Sequence, residues 1–326
     1  MDTLKTLPIR RHTTLLKRLP ETRFSNQQDK AKANWIIFAS HLSPQYFDDI
    51  DTYTGTYTRI VETWKVGHYE VALMSGALTQ AHQDIIISLG LDFALLDELP
   101  DISSPGLIVM DMDSTAIQIE CIDEIAILAG VGEEVAEVTE RAMQGELDFE
   151  QSLRQRVAKL AGANESILES VRQNLPFMPD LKELVTTLNA IGWKTAIASG
   201  GFTYFSDYLR QELNLHHAQS NTLEIVDGKL TGQVIGDVVS AQTKADILFE
   251  LAEKYDIEIH NTVAVGDGAN DLVMMNAAGL GVAYHAKPKV EQAAQTAVRF
   301  AGLGGVLCIL SAGLVKQQKL SWQAKP

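Results

Sequence analysis

Between residues 34 and 100 the chain switches between the two-residue period of a strand and the longer period of a helix. Trp35 to Ala39 predicts a strand and Pro44 to Tyr53 a short helix. Tyr57 to Val66 and Tyr69 to Met74 predict two strands separated by Gly67 and His68. Leu78 to Leu89 follows as an amphipathic helix closed by Gly90, and Phe93 to Leu96 as a last strand. The order βαββαβ is that of a small α+β, ferredoxin-like unit. Asp101 to Gly106, with Pro100 and Pro105, reads as a linker and sets a boundary near residue 103.

Past that linker the rhythm changes. Leu107 to Met110 is a continuous apolar run, the mark of a strand buried on both faces of a parallel sheet. A helix-rich block of residues 118–178 follows, opened by the stripe Ile122, Ile125, Ala126 and Ala129 and the stop at Gly130. The stripe Leu181, Leu184, Val185 and Leu188 then ends at Gly192, and a strand from Trp193 to Ala198 leads into Ser199, Gly200 and Gly201. Leu223 to Val226 and Lys229 to Gln233 make a hairpin around Asp227 and Gly228. A helix stripe (Leu248, Leu251, Ala252, Tyr255) and strands at Thr262 to Val265 and Leu280 to Tyr284 complete the alternation. These residues, 103–326, predict a doubly wound parallel α/β core with an inserted helical cap, beside the α+β unit of 34–102.

With 326 residues, 46% apolar and 21% charged, the chain has an ordinary globular composition with room for two domains. The formal charge of −15 argues against nucleic-acid or anionic-membrane partners. Charge is uneven, however: residues 1–33 hold eight Lys or Arg against three Asp or Glu. This basic N-terminal arm lacks an apolar signal core, so it is expected to pack on the acidic body or fray. Cys121 and Cys308 are too few for a disulfide framework or zinc site, which fits a reducing cytoplasm. Phe300 to Val315 is uncharged but too short to span a bilayer, and is expected to be buried.

Candidate chemistry lies at three predicted strand ends: Asp111 to Thr115, Ser199 to Gly201, and Gly266 to Asp271. Asp111 and Asp113 alone could belong to an ordinary helix N-terminus capped by Asp113 or Ser114. In a parallel sheet, however, the three carboxyl ends share one crevice. There Asp111, Asp113, Asp267 and Asp271 form an acidic nest suited to a hard divalent cation. Ser199, the Gly200 amide and Lys244 are donors suited to phosphate oxygens. GDGAND lacks the third glycine of a dinucleotide loop, and its aspartate would repel a pyrophosphate.

These motifs, in this order and spacing, resemble those of the haloacid-dehalogenase-type phosphatases. Glu120 to Glu124 and Phe149 to Val157 resemble the phosphoserine branch, and the likeness covers about residues 105 to 305. The resemblance implies Mg²⁺-dependent hydrolysis of O-phospho-L-serine, the closing step of serine biosynthesis. It makes Asp111 the nucleophile that forms an aspartyl-phosphate and Asp113 the general acid and base. One Mg²⁺ would be held by the carboxylates of Asp111 and Asp267 and the main-chain carbonyl of Asp113, with Asp271 supporting from behind. Ser199, Gly200 and Lys244 would hold the phosphoryl group.

Substrate choice then falls to the cap. Glu120 would meet an ammonium, Arg156 would fork a carboxylate, and Asn270 would complete the polar contacts. Against these readings stand a solvated cap face for Glu120, a salt-bridged residue for Arg156 and simple capping for Asn270. A rival of the same superfamily would pass the phosphoryl group to an acceptor alcohol or act on another small ester. A rival of another class is an amino-acid-binding regulator. The βαββαβ order resembles ACT domains, which bind amino acids at dimer interfaces, so residues 34–102 carry the expectation of a homodimer contact. Every candidate site residue lies at or beyond Asp111, so a chain beginning near residue 103 is expected to retain the chemistry.

Overall fold

Strand alternation in the first hundred residues produces an antiparallel sheet with both faces covered. The computed structural model describes residues 7–25, 32–317 and 319. Its first part contains β1 (Ile9–Arg11), α1 (Thr13–Arg18), β2 (Trp35–Ala39), α2 (Pro44–Thr54), β3 (Arg59–Val66), β4 (Tyr69–Ser75), α3 (Gln80–Ser88) and β5 (Asp92–Leu95). The strands lie in the order β1-β3-β4-β2-β5, all antiparallel. Without β1, this is the ferredoxin-like order expected of βαββαβ.

Alternate residues of β2 serve different cores. Trp35 and Ile37 pack with Phe47 of α2 and Ile86 of α3. Ile36 and Phe38 face the rest of the chain, with Trp64, Val71 and Leu73. Helix α2 starts where Ser43 Oγ accepts from the Gln45 amide and stops at Gly55, which takes the left-handed conformation. Helix α3 starts at Gln80 rather than Leu78, because Thr79 caps it.

The basic arm packs on the body of the protein over its described residues. Within residues 7–25, Ile9 to Arg11 join the sheet, paired to Val66, Lys65 and Trp64. Leu15 and Leu19 of this segment are buried, and His12 and Arg18 bind the buried Glu70 carboxylate at 2.9 Å each. Apolar contact and a hidden counter-charge thus hold this segment on the N-terminal sheet. The rest of the expected arm, residues 1–6 and 26–31, lies outside the described residues.

The second part begins with β6 (Leu107–Met110). The cap follows as α4 (Cys121–Ala129), α5 (Gly132–Met143), α6 (Phe149–Lys159) and α7 (Ser166–Gln173). Then come α8 (Leu181–Ala190), β7 (Lys194–Phe202), α9 (Thr203–Leu213), β8 (His217–Val226), β9 (Lys229–Ile235) and α10 (Ala241–Lys254). The chain closes through β10 (Thr262–Gly266), α11 (Leu272–Ala277), β11 (Leu280–Tyr284), α12 (Pro288–Ala293), β12 (Thr296–Val298) and α13 (Gly304–Lys316). The sheet order is β12-β11-β10-β6-β7-β8-β9, parallel except for the β8–β9 hairpin. Ile108 and Met110 of β6 face one core and Leu107 and Val109 the other, which is why that run is apolar throughout.

Helix α13 is buried almost all round, as its uncharged sequence requires, and lies between the two sheets. Val306, Leu307 and Leu310 share a core with Phe38, Trp64 and Leu73 of the N-terminal sheet. Trp64 Nε1 donates to Ser311 Oγ at 2.8 Å, and Tyr69 Oη donates to Asp180 at 2.6 Å while accepting from the Gly302 amide. The buried Asp92 carboxylate accepts from the amides of Arg299, Phe300 and Ala301. The linker near residue 103 therefore joins two sheets with one continuous core between them. Among the described residues no helix is long and apolar enough to cross a membrane.

Candidate active site

Strands β10, β6 and β7 are neighbours, so their carboxyl ends open onto the same crevice. At the end of β6 the Asp111 amide still donates to Val265 of β10 at 2.9 Å. The chain then turns tightly: Ser114 takes a left-handed φ of 56°, and the amides of Ala116 and Ile117 donate back to the Met112 carbonyl. This turn brings Asp111 and Asp113 onto one cleft, whose cavity volume is about 200 Å³. Asp111, Asp113, Ser199, Gly200, Asp267 and Asn270 line it from the core. Glu120, Ile122, Phe149, Leu153 and Arg156 line it from the cap side.

Lys244 and Asp271 lie beneath this lining, both fully buried. Lys244 Nζ is 2.8 Å from Asp111 Oδ2 and 2.6 Å from Asp271 Oδ1. Burial alone would lower the Lys244 pKa, but these two carboxylates hold it above its ordinary value. Asp271 also accepts from the Gly268 amide at 3.0 Å, which ties the GDGAND loop to the helix that carries Lys244. Its own pKa is raised, by burial and then by the charge of Asp111, against the pull of Lys244.

The other carboxylates are crowded. Burial, and then the charges of Glu120 and Asp111, push Asp113 up to about 8, although the Cys121 amide donates to it at 3.2 Å. Burial and Asp111 also raise Asp267, opposed by a 2.9 Å hydrogen bond from Thr115 Oγ1. Asp111, Asp267 and Asp271 each offer an oxygen, and these atoms lie within 4.8 Å of one another. All-oxygen donors with excess negative charge fit a hard divalent cation, which would relieve the repulsion among them.

The cap supplies the opposite pole. Arg156 Nε is buried with no hydrogen-bond partner. Burial lowers the Arg156 pKa, partly offset by Asp123, Glu120 and Asp113. Glu120 precedes α4 without capping it, and its carboxylate accepts from Ser114 Oγ at 2.7 Å. No ion pair engages Arg156 among the described residues, whereas Glu120 is an exposed residue held by Ser114. Two glycines are required by close approach: a Cβ on Gly200 would sit 2.5 Å from the Phe149 ring, and one on Gly201 2.5 Å from Asp113 Oδ2.

All ten residues singled out from the sequence thus meet at one place, eight on the cleft and two below it. Sequence reasoning assigned no site role to Thr115, which holds Asp267, or to Asn221, which bonds to the Gly200 carbonyl. The DST turn could have pointed to Thr115. Asn221 lies within β8 and carries no local signal.

Comparison with known proteins agrees with this geometry. The family described as haloacid dehalogenase-like hydrolase matches residues 105–279, and a domain of unknown function (DUF5609) matches residues 31–95. Phosphoserine phosphatase of Vibrio cholerae is 71% identical over 100% of this chain and 99% of its own length. A crystal structure of a probable phosphoserine phosphatase from Vibrio cholerae, unliganded, superposes with a TM-score of 0.91 over 99% of this chain and 100% of that chain, at 71% identity. A phosphoserine phosphatase structure described as a phospho-aspartyl intermediate analogue is 40% identical, with a TM-score of 0.59 over 63% of this chain and 98% of that one. The chain belongs to the haloacid dehalogenase-like hydrolases, in the group of the phosphoserine phosphatases.

Proposed function

We propose that this chain hydrolyses O-phospho-L-serine to L-serine and phosphate, as the last step of serine biosynthesis in the cytoplasm. The observation that carries this reading is the two-ended cleft. Asp111 and the Ser199-Gly200 turn, backed by Lys244, form one end, while Glu120 and Arg156, whose buried Nε has no hydrogen-bond partner, come from the cap. A cavity of about 200 Å³ suits a small amino-acid ester. Its dianionic head would go to the donors, its ammonium to Glu120 and its carboxylate to Arg156, with Asn270 completing the polar wall.

In the first step an Asp111 oxygen attacks phosphorus as the bond to the serine oxygen breaks. Asp113 gives its proton to that leaving oxygen. A carboxyl group with a pKa of about 8 carries the needed proton at neutral pH. In the second step water attacks the aspartyl-phosphate and returns a proton to Asp113, releasing phosphate and restoring the Asp111 carboxylate. Ser199 Oγ, the Gly200 amide and Lys244 Nζ offset the charge on the equatorial oxygens throughout. One Mg²⁺ held by Asp111, Asp267 and the Asp113 carbonyl, with Asp271 behind, would supply charge neutralisation where carboxylate and phosphate meet. The N-terminal unit is read as a buttress for α13 and as the contact of a homodimer.

The test is phosphate release across a panel of phosphoamino acids and sugar phosphates, with and without an acceptor alcohol. Preference for O-phosphoserine, with water as acceptor, is the expected result. A flat profile would remove the substrate assignment, and transfer to the alcohol would make the chain a phosphotransferase.

A further inference from the structure

Strands β7 and β8 pair in register at Ala196 to Ala198, then regain contact only at Phe202 opposite Asn221. Residues 199–201 bulge out of the ladder between these points, which is how Ser199 and Gly200 come to face the cleft. A bulge containing two consecutive glycines has little intrinsic preference for one conformation. Something must hold it.

The buried side chain of Asn221 does so. Its Nδ2 donates to the Gly200 carbonyl at 2.7 Å, while its Oδ1 accepts from the Val239 amide at 2.8 Å. On the other side of the same peptide plane, the Gly201 amide donates to Ser199 Oγ at 3.0 Å. The Gly200–Gly201 peptide is therefore fixed at both its oxygen and its nitrogen. Val239 immediately precedes Ser240, whose hydroxyl accepts from the Thr243 amide and starts the helix of Lys244. One amide side chain thus joins the bulge to the root of the Lys244 helix.

We propose that Asn221 is a positioning residue that sets the Ser199-Gly200 bulge in register with Lys244, so that donors from two elements converge on one phosphoryl group. This deepens the function proposed above and rests on the bulge receiving phosphate. Preorganised donors stabilise developing charge only while they need no rearrangement, so a loosened bulge should weaken phosphate binding and slow turnover together.

The experiment measures inorganic phosphate affinity and kcat for O-phosphoserine on the full chain. Asn221→Leu removes both bonds while keeping the branched shape of the side chain. Asn221→Asp keeps the shape and the acceptor for Val239 but cannot donate to Gly200. Both should lose about tenfold to a hundredfold in phosphate affinity and in kcat, with the metal-activation midpoint unchanged. Thr195→Val serves as the structural control, since Thr195 is a buried hydrogen-bonded residue at the opposite end of β7. It should lower the melting temperature without moving either readout. Folded Asn221→Asp with wild-type phosphate affinity and kcat would overturn the proposal, as would equal kinetic losses in Thr195→Val. A separate arm tests the underlying reading: if Ser199→Ala leaves wild-type phosphate affinity unchanged, phosphate does not sit at the bulge, whatever Asn221 does.

Discussion

Each sheet buries a carboxylate-centred cluster, and the two are built with opposite charge balance. In the N-terminal sheet Glu70 is surrounded by donors: Arg18, His12, Lys65 at 3.4 Å and the Leu42 amide. Burial would raise its pKa, but the Leu42 amide, His12 and Arg18 bring it below the ordinary carboxylate value. In the core sheet Asp111, Asp113, Asp267 and Asp271 gather around Lys244, and the shifts resolved for Asp113, Asp267 and Asp271 are upward. The first cluster is complete as it stands and closes a fold. The second has more acid than its cations can match and opens on a cleft. Unmatched charge beside a cavity is the feature that separates a site from a structural staple.

The largest expected effect breaks the core cluster. Asp111→Asn is nearly isosteric but cannot act as the nucleophile, and turnover should fall by about a thousandfold or more with a folded chain remaining. Activity of the purified variant within tenfold of wild type would show that another group attacks phosphorus.

Removal of the N-terminal sheet comes next and alters the expectation drawn from sequence. A chain beginning at Ser103 keeps every proposed site residue, yet strips Trp64, Tyr69 and Leu73 from α13 and leaves Val306, Leu307 and Leu310 exposed. At roughly 1.5 to 3 kcal/mol for each large apolar side chain, this costs about 5 kcal/mol or more, a fall of roughly 10 to 20 °C in Tm or outright insolubility. Calorimetry of both chains decides it. A truncated chain that melts where the full chain does would show that the shared core contributes little.

Arg156→Ala sharpens the comparison at the cap. Loss of a charged bidentate contact, about 2 to 4 kcal/mol, should reduce kcat/KM for O-phosphoserine by roughly thirtyfold to a thousandfold. Hydrolysis of an ester without a carboxylate should change far less. Glu120→Gln should show a smaller preference of the same kind against substrates that carry an ammonium. Equal losses on both substrates would mean that Arg156 supports the cap and does not read the carboxylate.

How much of this was legible depended on whether the signal was local. Leu107 to Met110 followed by two aspartates declares both a buried strand and its functional end, because each property resides in adjacent residues. The cap stripe at Ile122, Ile125 and Ala126 was equally plain. What residues 7–25 pack against was not legible, because their partner, Glu70, lies some fifty positions away on a strand that itself looks ordinary. Counting charge in a window cannot reveal that a distant buried carboxylate neutralises it. Asn221 escaped for the same reason, since its meaning comes from a bulge in the neighbouring strand. The shared core at α13 was half visible: its uncharged sequence required burial but could not say against what.

The smallest expected effect concerns the completed cluster. Burial lowers the His12 pKa below 6.5, against the pull of Glu70, so the folded chain resists taking up a proton that the unfolded chain accepts. For a group depressed in this way, stability rises with pH between the folded and unfolded values and is lost on acidification below about 6.5. Glu70 adds to the same direction further down: its contribution is present above the ordinary carboxylate value of 4.5 and disappears as pH falls through its lower folded value. Chemical denaturation from pH 7.5 to 5 should therefore show a gradual decline in wild type, and a shallower one in His12→Gln. Core chemistry should be indifferent to that substitution, with kcat at neutral pH unchanged. If His12→Gln follows the wild-type slope throughout, the imidazole is not the group that titrates, and the apparent closure of this cluster rests on Arg18 and the Leu42 amide alone.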